Sequence, residues 1–147
     1  MIKEFFLDKF EYDFRCNAQW IKTLLKNEDD LTDFTIKSFS HVINVHHIWI
    51  HRLLEQPSES NTWDKLPIDY WQKLAQENHL KTQDFLEKNE FIGKVLYTSE
   101  EGVPLEKEAV DILYHILNHS NYHRAQISLD LRQSGISPPT FNFISFK

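Results

Sequence analysis

Two histidines near the end of the chain are the residues best placed to do chemistry. His119 and His123 stand four apart in the run His115-Ile116-Leu117-Asn118-His119-Ser120-Asn121-Tyr122-His123-Arg124-Ala125-Gln126. At about 100° per residue on an α-helix, their imidazoles point within about 40° of each other. Ile112, Ile116 and Ile127 share that direction, so the pair projects from the apolar stripe of its helix. Two imidazoles at this spacing can chelate one divalent metal ion. A lone histidine on such a face is usually a hydrogen-bonded core residue. Two of them double the demand for buried partners, and a third ligand from elsewhere would complete a site.

Composition bounds what can surround this pair. The chain has 147 residues, 41% of them hydrophobic and 14% aromatic, which suits one domain (1–147) with one core. Three glycines and five prolines leave long uninterrupted segments that favour helix. A net charge of −6 argues against a nucleic-acid partner. Cys16 is the one cysteine, a packed thiol by its helical setting, and fits a reducing cytoplasm. The N-terminal Met1-Ile2-Lys3-Glu4 has no signal-peptide character, and no apolar run is long enough to span a membrane.

The segments that must position the pair follow from periodicity. A first helix is expected over residues 2 to about 27, with Phe6, Phe10, Trp20 and Leu24 on one stripe. Asp13 and Asn17 lie on the same stripe and need partners, either on a neighbouring helix or around a site. A second helix begins near Asp33 or Ile36, capped by Thr32 or Asp33, and runs to Leu54 or Glu55. It carries His41, His46, His47 and His51. His41 and His46 lie about 140° apart on the wheel, so one ion does not easily take both. The wheel leans towards His46 as the inward ring, with His41 at the edge of the apolar arc. His47 and His51 read as surface residues. Gln56 to Pro67 is a loop in which Trp63 reads as a plug over the core sooner than a pocket rim. A third helix spans about Ile68 to Asn89, and residues 92 to 107 form a short β-hairpin around Gly102. The last helix starts between Leu105 and Glu108 and stops before Gly135. A tail of alternating phenylalanines, Phe141, Phe143 and Phe146, reads as an extended segment packed back on the body. Four long amphipathic segments predict an all-α four-helix bundle, whose metal sites come from facing helices.

The run His115-x-x-Asn118-His119-x-x-x-His123-Arg124-x-Gln126 resembles the C-terminal motif of the DinB-like (damage-inducible) metalloprotein superfamily, with Ala125 in place of the usual glycine. His41 followed eight residues later by Trp49 is similar to that family's second helix, and Tyr12-Asp13-Phe14-Arg15-Cys16-Asn17 to its first. The resemblance implies an up-down-down-up bundle, often dimeric, and a divalent metal, zinc or nickel, held by His41, His119 and His123. It thus selects His41 over His46. His46 and Asn142 stand where many relatives carry an acidic residue. The resemblance further implies, for some members, a thiol S-transferase acting on electrophilic small molecules through a metal-bound thiolate. A non-catalytic metal-binding stress-response or interaction module and a metal-dependent hydrolase are the alternatives.

Overall fold

The computed structural model describes residues 1–88, 91 and 93–147. Four long helices carry the fold: α1 (Ile2–Lys26), α2 (Asp33–Leu53), α3 (Trp71–Lys88) and α4 (Ala109–Gln133). Strands β1 (Lys94–Thr98) and β2 (Pro104–Glu108) form an antiparallel hairpin before α4, with Leu96 opposite Glu106. A short helix, α5 (Phe143–Phe146), closes the chain. The expected end of the third helix at Asn89 and the start of the excursion at residue 92 lie outside the described residues. No described helix is long and apolar enough to cross a membrane.

Two core clusters fix the helix directions. One joins Phe6 and Phe10 at the start of α1 to Ile50 and Leu53 at the end of α2, Phe85 and Leu86 at the end of α3, and Ile112 to Ile116 at the start of α4. The other joins Trp20 to Leu24 at the end of α1 to Phe39 and Ile43, to Trp71 and Ala75, and to Ile127 and Leu131 at the end of α4. Helices α1 and α4 therefore run one way and α2 and α3 the other, an up-down-down-up bundle. The apolar stripes face inward because burial of these side chains is the main favourable term in folding.

The ends are set by local chemistry. Thr32 caps α2, its hydroxyl accepting from the Thr35 amide at 3.1 Å. The Thr35 hydroxyl in turn donates to Asp130 of α4 at 2.6 Å, tying the helix of His41 to that of His119 and His123. At the far end of α4 the Ile136 amide bonds back to the Leu131 carbonyl, and Gly135 adopts φ +77°, a backbone state open to glycine. The tail corrects its expectation. It does pack back, with Phe141, Phe143 and Phe146 all within 5.1–5.4 Å of the Tyr12 ring. It does so as a helical turn capped by Asn142, whose side chain accepts from the Ile144 amide. Spacing of three residues puts Phe143 and Phe146 on one face of a helical turn, where a strand would turn them to opposite faces.

Candidate metal centre

Helices α2 and α4 bring His41, His119 and His123 together. Each offers one ring nitrogen, and the three nitrogens lie within 4.8 Å of one another. Nε2 of His41 is 2.9 Å from Nε2 of His119, and the His123 ring centroid is 4.7 Å and 4.4 Å from those of His41 and His119. Two imidazoles bound to one zinc-like ion at 2.0–2.1 Å would sit about 3.3 Å apart, between the 2.9 Å of the His41–His119 pair and the 4.8 Å that bounds all three.

Each ring is prepared for ligation. The Nδ1–H of His41 donates to the Thr62 carbonyl at 2.7 Å, which leaves the lone pair on Nε2 facing His119. The Trp63 indole stacks on the His41 ring at 3.6 Å and 5°, and itself remains 56% exposed. Trp63 is thus a rim over the cluster, correcting the plug expected from its apolar bulk. Nδ1 of His123 is buried and has no hydrogen-bond partner among the described residues. Such a nitrogen is costly to bury alone, and ligation in this neighbourhood would relieve it. Burial, together with the neighbouring His123, His41 and His115, pushes the His119 pKa down to about 3. Burial also lowers those of His41 and His123. Neutral imidazoles are the form that binds metal. The donor set therefore fits a divalent ion.

The cluster opens onto a cavity of about 320 Å³. His41 and His119 form one end of its wall, Val45, Ile48 and Leu105 give it an apolar lining, and Trp49, Arg52 and Tyr97 stand at the other. Thr62 bridges two walls, because its hydroxyl donates to the Glu100 carboxylate of the hairpin while its carbonyl holds His41.

The other histidines have separate duties. His46 is inward, as its wheel position suggests, but faces away from the cluster. Its Nε2–H donates to the Thr82 hydroxyl at 2.8 Å, and that hydroxyl donates to the Asn78 carbonyl at 2.7 Å. His51 corrects the surface reading: it is buried, with Nδ1–H donating to the Pro57 carbonyl and Nε2 accepting from Lys81, both at 2.8 Å. Both its nitrogens are occupied, so His47 and His51 do not form a second chelate. His79, which the reading of α3 passed over although it falls on the buried stripe, stacks on Phe14 at 4.2 Å and meets Glu11 at 3.3 Å. Asp13 and Asn17 bond to a neighbouring helix: Nη1 of Arg124 donates to Asp13 at 2.7 Å, to Asn17 at 2.8 Å and to Ser120 at 2.6 Å.

His46 makes folding sensitive to acid. Burial pushes its pKa down to about 4 from an ordinary 6.5. Above pH 6.5 the ring is neutral folded or unfolded and contributes no pH dependence. As pH falls from 6.5 towards 4 the unfolded chain takes up the proton first, so unfolding gains. Between pH 7 and pH 5 this residue alone should cost about 2 kcal/mol of stability. Urea unfolding at the two pH values measures it, and His46→Gln, which retains a donor for Thr82, should flatten the slope by that amount.

A sequence description of the DinB family matches residues 27–147. The chain is also similar to the uncharacterized protein YizA of Bacillus subtilis (strain 168), at 26% identity over 159 residues covering 92% of this chain and 91% of that protein.

Proposed function

This chain belongs to the DinB family, and on that premise we propose that it binds a divalent metal through His41, His119 and His123 and transfers a small-molecule thiol to an electrophile. One observation carries the reading: of three convergent imidazoles, two, His41 and His119, border an open cavity of about 320 Å³. Structural zinc sites are closed by four protein ligands, whereas catalytic ones keep a position for an outside molecule. A cavity of this size accommodates a small organic ligand.

A divalent ion held by His41, His119 and His123 would supply Lewis acidity, the chemistry that lowers a thiol's pKa towards neutrality. The rest falls to the chain. The Thr62 carbonyl holds His41 in the tautomer with Nε2 free. With their ring lone pairs committed to the ion, His41, His119 and His123 would not accept the thiol proton, which would pass to water in the cavity. Val45, Ile48 and Leu105 offer apolar surface to the hydrocarbon part of a bound small molecule. In the transfer itself one sulfur–carbon bond forms, the leaving group departs with the electron pair of the bond it breaks, and no net oxidation occurs. Cys16 does not compete as nucleophile, since burial raises its pKa.

The test is conjugation of monochlorobimane with low-molecular-weight thiols. The expected rate exceeds the uncatalysed one, falls to it after chelation and returns when zinc or nickel is restored. Absence of a metal-dependent rate with every thiol tried would overturn the transferase reading.

A further inference from the structure

The cavity wall holds a charge that the proposed transfer does not use. Arg52 makes no side-chain hydrogen bond and no ion pair among the described residues. Its partners are rings: the guanidinium carbon lies 4.4 Å from the Trp49 centroid and 4.4 Å from that of Tyr97. Those rings meet edge to face, with centroids 5.1 Å apart and planes at 76°. They form a corner, and the guanidinium sits across it with its in-plane N–H donors unclaimed. Glu100, the acid on the same wall, is engaged by the Thr62 hydroxyl. Burial lowers the Arg52 pKa, with Tyr97 and Glu100 opposing, yet a guanidinium stays charged at neutral pH.

Its place on α2 relates it to the metal centre. Arg52 follows His41 by eleven residues, about 20° away on the helical wheel and about 16 Å along the axis. Val45 and Ile48 lie between them on that same face and line the cavity. Helical side chains lean towards the N-terminus of their helix, which directs Arg52 back along the cavity towards the histidines. An apolar strip of wall therefore runs from His41 and His119 to one unpaired cation.

We propose that the cavity takes an elongated, carboxylate-bearing small molecule, with Arg52 binding the carboxylate and the opposite end of the molecule reaching the histidine cluster. Guanidinium recognises carboxylate through two parallel N–H···O bonds, and the aromatic corner fixes its orientation beforehand. For the sulfur end this rests on the function proposed above; for the acid end it stands on Arg52 alone.

Calorimetric titration of the metal-replete protein separates the two. The probes are 6-mercaptohexanoate and 6-mercaptohexanol, with hexanoate and hexanol as sulfur-free counterparts. The acid of each pair should bind about tenfold or more tighter than the alcohol. Arg52→Gln should erase that preference, and Arg52→Lys, which keeps charge without the fork, should retain part of it. If the thiol reading is wrong, the mercapto compounds will bind no better than the sulfur-free ones, while the Arg52-dependent preference for acid persists. Equal affinity of acid and alcohol in the unaltered protein would overturn the proposal, as would a preference that survives Arg52→Gln. A lowered melting temperature in Arg52→Gln with the preference intact would make Arg52 a packing residue only.

Discussion

A His119→Ala protein is expected to purify with less than roughly a tenth of an equivalent of divalent metal, against about one for the unaltered chain, because two imidazoles hold an ion far less tightly than three. His119 is central to the cluster, with Nε2 2.9 Å from that of His41 and its ring 4.4 Å from His123. The affinity loss should reach about a thousandfold or more, on the scale of losing one ligand from a three-residue site. The side chain sits at the edge of a cavity and outside both core clusters, so circular dichroism should show the helices intact. His46→Gln is the matched control. It removes a more deeply buried ring, bonded to Thr82 and not to the cluster, and should leave metal content unchanged. Metal retained in His119→Ala, by elemental analysis after dialysis, would refute the ligand set.

The second large effect lies between α1 and α4. Asp13→Ala should lower the unfolding free energy by about 4 kcal/mol, since it strands a buried guanidinium without its carboxylate. Asp13 and Arg124 are 3% and 6% exposed and paired at 2.7 Å. Asn17 and Ser120 also accept from Arg124, so part of its hydrogen bonding survives while its charge is left without a counter-ion. Asp13→Leu combined with Arg124→Met should recover most of the loss, because apolar groups of similar volume carry no desolvation penalty. Urea denaturation of the single and double variants gives the coupling directly. Single-variant losses under about 1 kcal/mol would mean that water reaches the pair.

The parts of this design visible in the sequence are those governed by one helix at a time. His119 and His123 could be read as a convergent pair because the wheel relates residues of the same helix. Which of His41 and His46 joins them was not decided that way. Both are buried on α2, but one turns towards α4 and the other towards Phe10 of α1 and Thr82 of α3. A wheel distinguishes inside from outside, not one neighbour from another, and only the family resemblance selected His41. His51 looked exposed because its partners, Pro57 and Lys81, come from a loop and another helix. Thr62, Trp63 and Glu100 lay beyond periodicity altogether, since loop and hairpin tip have none. Arg52 was within reach, eleven residues and one wheel direction from His41, but a charged residue in the last turn of a helix ordinarily reads as complementing its dipole.

The hydrogen-bond acceptor for His41 is a main-chain oxygen. No replacement of the residue 62 side chain deletes it, so point mutation tunes this anchor weakly. Chain length is the sensitive variable: one residue added to or removed from the segment between Leu54 and Thr62 would slide a different carbonyl under the ring. Divergence among relatives should accordingly tolerate many identities at this position while constraining the spacing that leads to it.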